Sequence, residues 1–498
     1  MRRQGTLARS LAVAAVLGLG GSTYAVHAAA DGTDDARVDW GACPKEVVAE
    51  AAPTVLRCAT VPVPVDYADP DGERIDLTVS RLASTDPGKR RGTLMLNPGG
   101  PGGSGLAQPA LLASRGIPAD VLDSYDLIGM DTRGVGHSGK VGCGFTLDGP
   151  YTANIPPYAV DDAAVTARAK VAKQAAEQCA RHDEKGLLPH LTTANTARDL
   201  DRIRAALGEE RTSYLGYSYG TALGAAYASM FPERSDRVVL DSNLGDTHLT
   251  RDGLRRYAQG VEEAFPDFAA WAAARHGSYG LGRTAGEVRR TYVALAARLD
   301  EEPVGGFDGG LLRQYVFGQL FQETQYPKLA QQLQDLRAGE PEGAAADGAA
   351  GAAGPEVDNP LAVFAAVTCN DVKWPRDVDT YRKAVAEDRA RHPLFGAAAA
   401  NITPCAYWPY APAEPPVAVD DDGPRNILVV QNQRDVSTPH DGGKLMRQKF
   451  AHRSRLLSVD DTGHGAYVLG DNSCALNTTS RYLVDGTMPK RDTLCRAD

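Results

Sequence analysis

Short runs of apolar residues alternate with segments of helical periodicity through the first half of the chain. Residues 74–83 alternate apolar and polar positions, which is typical of a half-exposed strand. Four shorter apolar runs predict further strands: 93–96, 125–130, 212–216 and 237–241. Residues 192–208, with Thr193 as candidate cap, and residues 221–230 space their apolar side chains as helices do. Strands that alternate with helices predict an α/β fold with a mostly parallel sheet flanked by helices.

The pattern changes after about residue 246. Residues 253–300 predict helices that carry several aromatic side chains, and sheet-like sequence returns at 426–431. Residues 338–360 are rich in alanine, glycine, proline and acidic residues, which predicts a mobile loop. The simplest organisation is one α/β core interrupted by a mainly helical lid. We therefore divide the chain into the first part of the core, the lid insertion and the C-terminal part of the core: 31–245, 246–415 and 416–498.

Residues 1–30 have the layout of a secretory signal peptide. Three arginines precede or flank the apolar run 11–19, and three alanines end the segment. The apolar run is too short to cross about 30 Å of hydrocarbon as a helix. We therefore expect the segment to be removed, and the mature protein to be secreted and to have no membrane span.

All eight cysteines follow the predicted signal peptide: Cys43, Cys58, Cys143, Cys179, Cys369, Cys405, Cys474 and Cys495. None forms a Cys-x-x-Cys pair, which argues against a zinc ribbon or a thioredoxin-like site. An even number of cysteines in an exported protein predicts disulfides. Many pairings are possible, and pairing each cysteine with its neighbour closes the shortest loops: 43–58, 143–179, 369–405 and 474–495.

Composition narrows the classes of function. Apolar residues make up 43% and charged residues 23% of the 498 positions, as in an ordinary globular protein. The formal net charge of −10 argues against binding to the phosphate backbone of a nucleic acid. The sequence has no His-Glu-x-x-His segment and no Gly-Lys-Ser/Thr segment. We therefore expect no metal and no other cofactor, and the oligomeric state stays open.

Residues 216–220 read Gly-Tyr-Ser-Tyr-Gly and match Gly-x-Ser-x-Gly. The motif falls between a predicted strand and a predicted helix, where it forms a sharp turn that presents the serine hydroxyl at the edge of a sheet. Ser218 is therefore the candidate nucleophile, and the backbone N–H of Tyr219 is the first candidate donor to an oxyanion. The glycine-rich segment 97–105 follows another predicted strand. In it we favour the N–H of Gly100 as the second donor, with the preceding glycine as its neighbour.

A serine nucleophile needs a base, and the base needs a group that orients it. In folds with this serine motif, the chain order is serine, acid, histidine. Asp435 follows the predicted strand 426–431, and His464 lies in a predicted loop near the C-terminus, so both fit the order after Ser218. His440 is the main competitor of His464, but it follows Asp435 by only five residues. Three other acidic residues stay open as alternatives to Asp435: Asp441, Asp460 and Asp461.

Several segments together carry a family resemblance: Asn-Pro-Gly-Gly-Pro-Gly at 97–102, Asp-Thr-Arg-Gly-Val-Gly-His-Ser at 131–138, the serine motif, Cys-Ala-Tyr-Trp at 405–408, and the loops of Asp435 and His464. With them the sequence resembles the secreted actinobacterial tripeptidyl aminopeptidases, α/β-hydrolases related to the proline iminopeptidases. The resemblance covers about residues 40–498 and is weakest in the insertion. Asn97 stands where the proline iminopeptidases have histidine, which argues against a transfer of their proline specificity.

The resemblance implies a serine exopeptidase that releases short peptides, often tripeptides, from a free N-terminus. Such an enzyme must hold an ammonium group, and Glu323 and Asp371 in the insertion are candidates for this contact. Asp131 and Arg133 are interpreted as residues that fix a loop. The alternatives are a secreted ester or lactone hydrolase with the same catalytic residues, and a binding protein of this fold. Because all three catalytic residue types are present in order, an enzyme is favoured over a binding protein.

Overall fold

The computed structural model describes residues 38–339 and 357–497. The predicted signal peptide and most of the predicted mobile loop lie outside the described residues. In the part described, ten strands form one sheet: β1 (Gly41–Ala42), β2 (Arg57–Pro64), β3 (Arg74–Leu82), β4 (Gly92–Asn97), β5 (Tyr125–Met130), β6 (Thr212–Tyr217), β7 (Ser235–Asp241), β8 (Ile427–Arg434), β9 (Ser454–Thr462) and β10 (Thr493–Cys495). Their spatial order is β1-β2-β3-β5-β4-β6-β7-β8-β9-β10.

The greater part of this sheet is parallel. From β5 through β4, β6, β7, β8 and β9 to β10, each strand pairs in parallel with the next, whereas β1, β2 and β3 add antiparallel pairs at one side. Every residue of β4 and β6 is buried, because both faces of the sheet are covered. The predicted α/β fold with a mostly parallel sheet is confirmed. The carboxyl ends of the parallel strands meet at one edge, where ligands bind in folds of this kind.

Sixteen α-helices accompany the sheet in the described ranges: α1 (Lys45–Ala51), α2 (Gln108–Ser114), α3 (Ala119–Ser124), α4 (Asp162–His182), α5 (Thr193–Ala206), α6 (Tyr219–Met230), α7 (Arg251–Ala274), α8 (His276–Tyr279), α9 (Ala285–Glu301), α10 (Gly309–Gln319), α11 (Tyr326–Ala338), α12 (Asp358–Asp371), α13 (Val378–Arg391), α14 (Gly396–Ala399), α15 (His440–Lys449) and α16 (Ser473–Asp485). The cap of α5 is Thr192, whose hydroxyl accepts the Asn195 N–H at 3.0 Å. The prediction of Thr193 as cap is wrong, because its hydroxyl donates to Asp371 instead. Among the described helices, none combines the length and apolarity needed to cross a membrane.

Helices α7 to α14 lie in the chain between β7 and β8, and the described part of this insertion adds no strand to the sheet. Helix α7 buries apolar side chains at helical spacing, among them Val261, Phe265 and Phe268. Gly260 of the same helix packs directly against the carbonyl of Val436, in the loop after β8. The insertion therefore touches the edge at which the parallel strands end.

Four disulfides join the eight cysteines: Cys43–Cys58, Cys143–Cys179, Cys369–Cys405 and Cys474–Cys495. These are the neighbour pairs that close the shortest loops. The third pair ties α12 to the turn Pro404–Tyr407 within the insertion. Disulfides of this number are typical of a protein that matures in an oxidising compartment.

Candidate active site

Ser218 lies in the turn between β6 and α6, at the edge where the parallel strands end. Its φ of 57° falls in the left-handed region that residues other than glycine rarely adopt. Two hydrogen bonds hold the turn: the Ser218 N–H donates to the Asp241 carbonyl at 3.1 Å, and the Thr221 hydroxyl donates to the Ser218 carbonyl at 2.6 Å. Ser218 is partly exposed, whereas the residues on both sides of it are buried. This is the geometry that the serine motif predicts.

The loop after β4 lies directly against the Ser218 turn. A Cβ atom on Gly99 would be 2.8 Å from the Ser218 Cβ, so the approach requires glycine. The Gly99 N–H already donates to the Asn97 side chain at 3.0 Å. The next N–H, that of Gly100, makes no hydrogen bond to any described residue. It is therefore available, with the N–H of Tyr219 at the start of α6, to donate to a developing oxyanion.

The loops after β8 and β9 bring Asp435 and His464 together. His464 Nδ1 is 3.0 Å from each carboxylate oxygen of Asp435. Asp435 is fully buried, and it also accepts the N–H groups of Ser437 and Thr438 at 3.0 and 2.9 Å and the Thr438 hydroxyl at 2.9 Å. A carboxylate held in this way orients the imidazole and leaves Nε2 to act as a base. Within the described contacts, the Ser218 hydroxyl does not hydrogen-bond to this ring; such contacts often tighten when substrate binds.

Two opposing effects govern the charge of His464. Burial disfavours the imidazolium and lowers the pKa of His464, whereas the Asp435 carboxylate, with a contribution from Asp241, raises it. The net result is a pKa above the ordinary value of 6.5. The surroundings therefore stabilise the protonated ring that forms when a histidine takes a proton from serine.

Asp241 and Ser242, at the end of β7, hold the loop that carries the histidine. The Asp241 carboxylate accepts the N–H of Ala466 at 3.0 Å and that of Tyr467 at 2.7 Å. The Ser242 hydroxyl oxygen accepts the Gly465 N–H at 2.8 Å. The backbone N–H groups of the three residues that follow the histidine are therefore all bound by Asp241 and Ser242.

No motif in the sequence indicates this role of Asp241. The one available signal was its position: like Asp435, it stands at the carboxyl end of a short apolar strand. Burial raises the pKa of Asp241 from 3.8 to about 7, although the hydrogen bonds from Tyr467 and Ala466 oppose the rise. A buried carboxylate of this kind is common at functional sites.

The insertion contributes directly to the surroundings of the histidine. Phe321 lies between α10 and α11, and its carbonyl accepts the backbone N–H of His464 at 2.9 Å. The Gln322 side chain donates to the backbone carbonyl of His464 at 3.2 Å. The Phe321 ring meets the imidazole edge to face, with ring centroids 5.0 Å apart. No sequence pattern indicated which segment of the insertion would reach the histidine.

Glu323, a candidate for binding an ammonium group, is exposed two residues after Phe321. Its pKa is raised, first by partial burial and then by the negative charges of Asp461 and Asp267, which the Arg434 guanidinium partly offsets. The surface beside the histidine loop is therefore acidic.

Asp371, the second candidate, has different surroundings. It is buried, and its two oxygens accept the N–H and the hydroxyl of Thr193 at 2.8 and 2.6 Å. The same hydroxyl lies 2.7 Å from the Tyr219 phenol. Burial raises the pKa of Asp371 to about 7. Both carboxylate oxygens already accept hydrogen bonds from Thr193, which in turn contacts Tyr219. This geometry does not favour Asp371 as the partner of an ammonium group.

The alternative histidine and acids make other contacts. His440 Nε2 is 2.8 Å from the Ser458 hydroxyl. Asp441 and Asp460 form ion pairs with basic side chains, and Asp461 accepts the N–H of the residue that follows it. Within the described ranges, no group of three or more His, Cys, Asp or Glu side chains is arranged to hold a metal ion.

Asp131 and Arg133 are held in hydrogen-bond networks that join loops. The Arg133 guanidinium donates to both oxygens of Asp199 at 2.7 Å. Asp131 accepts the Ser104 hydroxyl at 2.6 Å and the His137 N–H at 2.9 Å. Asp131 thereby joins the glycine-rich loop to the loop after β5.

A family profile and several curated proteins are similar to the chain. A profile described as TAP-like protein matches residues 392–495, the segment that holds Asp435 and His464. The tripeptidyl aminopeptidase of Streptomyces coelicolor is 35% identical over 96% of this chain and 88% of its own length. The serine protease Hip1 of Mycobacterium tuberculosis is 30% identical over 92% of this chain and 91% of its own. The carboxylesterase B of the same species is 31% identical over 92% of this chain and 89% of its own.

The mostly parallel sheet, the strained serine turn and the similar proteins define a serine hydrolase of the α/β-hydrolase class. Identity of 35% over nearly the whole chain then fixes the family. The chain belongs to the tripeptidyl aminopeptidase family, as the resemblance of its motifs predicted.

Proposed function

We propose that the protein is a secreted serine exopeptidase that releases short peptides, typically tripeptides, from free N-termini. Ser218 is its nucleophile, His464 the base and Asp435 the group that orients the base. The observation that carries the proposal is the pair of 3.0 Å contacts between Asp435 and His464 Nδ1, on the same sheet edge as the Ser218 turn. The peptide substrate follows from the relatives named as tripeptidyl aminopeptidase and serine protease.

In the first half of the reaction, the Ser218 oxygen attacks the scissile carbonyl and His464 Nε2 takes the serine proton. The carbonyl oxygen gains negative charge and accepts hydrogen bonds from the N–H groups of Tyr219 and Gly100. His464 then gives its proton to the departing amine of the remaining chain, and the N-terminal tripeptide stays bound to Ser218 as an ester. In the second half, water attacks the ester carbonyl while His464 takes a proton from it. The bond to the Ser218 oxygen breaks, the tripeptide leaves with a free carboxyl group, and His464 returns the proton to Ser218.

Recognition of a free N-terminus is assigned to Glu323. It lies two residues from Phe321, which contacts His464, and its neighbours Asp461 and Asp267 add negative charge. A substrate ammonium group is attracted to such a surface. Asp371 is assigned a different role, which is to hold Tyr219 through Thr193.

The insertion at 246–415 is proposed to restrict the cleft to chain ends. Its contacts at Phe321 and Gly260 lie on the histidine loop and the Asp435 loop, so a long polypeptide cannot cross the site without meeting it. We also propose that residues 1–30 are removed during export, so that the mature protein is secreted. The four disulfides support an extracellular location.

The test uses tripeptide p-nitroanilides with free and with acetylated N-termini, wild-type protein and Ser218→Ala. We expect turnover of the free peptides, at least about 100-fold slower turnover of acetylated ones because they lack the ammonium charge, and loss of nearly all turnover in Ser218→Ala. Equal rates on free and acetylated peptides would overturn the exopeptidase assignment. Turnover that survives in Ser218→Ala would overturn the mechanism.

An ester hydrolase is the second candidate, because carboxylesterase B is also similar over nearly the whole chain. The same catalytic groups act on esters and on amides. Aryl esters of short acids, assayed beside the tripeptide amides, separate the two functions. Turnover of the esters alone would favour the second candidate.

A further inference from the structure

Two consecutive residues of the insertion bind the backbone of the candidate catalytic histidine. The carbonyl of Phe321 accepts the N–H of His464 at 2.9 Å, and the side chain of Gln322 donates to the carbonyl of His464 at 3.2 Å. The two segments approach closely, because a Cβ atom on Gly463 would be 2.9 Å from the Phe321 carbonyl oxygen. Gly463 also has a φ of 87°, a conformation that favours glycine. The glycine before the histidine therefore allows the insertion to reach the histidine backbone.

The Phe321 side chain contacts the imidazole itself. Its ring meets the His464 ring edge to face, with centroids 5.0 Å apart and planes at 68°. Aromatic pairs prefer this arrangement over a face-to-face sandwich. Nδ1 of the same imidazole lies 3.0 Å from each carboxylate oxygen of Asp435. The imidazole is therefore held between a carboxylate of the core and a phenyl ring of the insertion.

Other aromatic rings of the insertion hold Phe321 in place. Its ring meets that of Phe317, on α10, edge to face with centroids 5.2 Å apart. Phe317 stacks on Phe395 at 4.9 Å and on Tyr257, of α7, at 5.6 Å. Phe395 is fully buried. Three separate segments of the insertion thus fix the position of Phe321, because closely packed buried rings have little freedom to move.

The core and the insertion hold different parts of the histidine loop. Asp241 and Ser242 of the core bind the N–H groups of the three residues after His464. The N–H and the carbonyl of His464 itself are bound by the insertion. A shift of the insertion would therefore change the direction of the imidazole even while the rest of the loop stays attached to β7. Proton transfer to and from this ring depends on such alignment.

We propose that Phe321 and Gln322 are positioning residues for His464, so that the insertion takes part in proton transfer and is more than a barrier to long chains. The inference rests on the proposed function, in which His464 is the base. Formation and hydrolysis of the ester on Ser218 both use this imidazole. The effect therefore extends to substrates too small to need the insertion for binding. A role of Phe321 in peptide binding alone predicts a loss confined to tripeptides.

Three substitutions and one control test the positioning role. Phe321→Leu removes the ring and keeps an apolar side chain, Phe321→Tyr keeps the ring, and Gln322→Met removes the amide donor at similar length. Phe268→Leu is the matched control, because Phe268 is a fully buried ring of the insertion that packs against aromatic side chains of α7 and α11. Thermal denaturation of each variant reports folding. The substrates are p-nitrophenyl acetate and a tripeptide p-nitroanilide with a free N-terminus.

For Phe321→Leu, we expect kcat to fall about tenfold on both substrates, with KM for the acetate changed less than about threefold. Gln322→Met should lower kcat about threefold, because one hydrogen bond to the histidine is lost. Phe321→Tyr should keep most of the wild-type kcat. Phe268→Leu should lower the Tm but leave kcat within about twofold of the wild type.

An unchanged kcat on the acetate in Phe321→Leu, a loss confined to the tripeptide, or an equal loss in Phe268→Leu would overturn the positioning role. Gln322 is partly exposed, so its substitution is expected to leave folding intact, and its kcat decides the question if Phe321→Leu does not fold. His464→Ala separates this outcome from failure of the proposed function. An inactive His464→Ala confirms the base, and the Phe321 and Gln322 variants then decide the inference. Acetate turnover that survives in His464→Ala would show that the proposed base is wrong, and the inference with it.

Discussion

The carboxylate of Asp241 accepts the backbone N–H of Tyr467 at 2.7 Å and so joins the end of β7 to the loop that carries the histidine. The carbonyl of the same Asp241 accepts the Ser218 N–H at 3.1 Å. One buried residue therefore contacts both the nucleophile turn and the histidine loop. Small displacements of either loop are expected to slow the chemical step, because attack and proton transfer require close alignment.

Substitution of Asp241 is expected to slow turnover more than it weakens substrate binding. Asp241→Asn keeps one of two acceptor oxygens and Asp241→Ala keeps neither, so kcat should fall about tenfold and about 100-fold, with KM changed less than about threefold. Steady-state kinetics on a free tripeptide p-nitroanilide measure both constants. Asp236→Asn, at the start of the same strand, is the matched control. A loss no larger than in this control, or one confined to KM, would contradict the positioning role.

The catalytic acid is tested by a pair of isosteric substitutions. Asp435→Asn removes the charge that orients His464 and stabilises its protonated form, and kcat should fall about 10⁴-fold with little change in KM. Asp441→Asn, six residues further along the chain, removes an acid that pairs with Lys444 and should change kcat less than about threefold. The opposite ranking of the two variants would reassign the acid.

The sequence predicts the short segments that carry the candidate catalytic residues. It does not predict the contacts between segments that are distant in the chain. Ser218, Asp435 and His464 each sit in a short segment whose residue types and flanking strand carry the signal. The contact between Asp241 and Tyr467 joins residues 226 apart, and nothing local distinguishes it. The Phe321 contact with His464 likewise depends on how the helices of the insertion pack.

Strand β2 shows the same limit for the fold. No strand is predicted at Arg57–Pro64, whose two prolines weaken a strand pattern. The structure accommodates them near one side of the sheet, where β1 pairs only with the first two residues of β2 and leaves the prolines outside that ladder. Proline does have a low propensity for strands, but the position of β2 in the sheet allows the segment to form a strand all the same.

Removal of the Cys369–Cys405 disulfide is expected to destabilise the insertion. The two cysteines are 36 residues apart, and a crosslink over such a loop typically contributes about 3–4 kcal/mol through the unfolded state. Urea denaturation of Cys369→Ala/Cys405→Ala under oxidising conditions measures the loss. Removal of Cys43–Cys58, which spans 15 residues, should cost less. An equal or larger loss for the shorter loop would show that local packing, rather than loop closure, sets the contribution.

The buried Asp371 should make stability depend on pH in a defined direction. Burial raises its pKa from 3.8 to about 7, so the folded protein keeps a proton that the unfolded chain has released over this interval. The contribution of Asp371 to stability is therefore complete below about pH 4 and is lost as the pH rises through about 7. Asp371→Asn carries no titrating group, so its Tm relative to wild type should increase from pH 4 to about pH 7 and then level off. Thermal denaturation at unit pH steps measures this difference, with Asp379→Asn, an exposed acid of α13, as control. A difference that stays constant or falls with pH would mean that Asp371 is ionised in the folded protein at low pH, and its contact with Thr193 would then be that of a stable carboxylate.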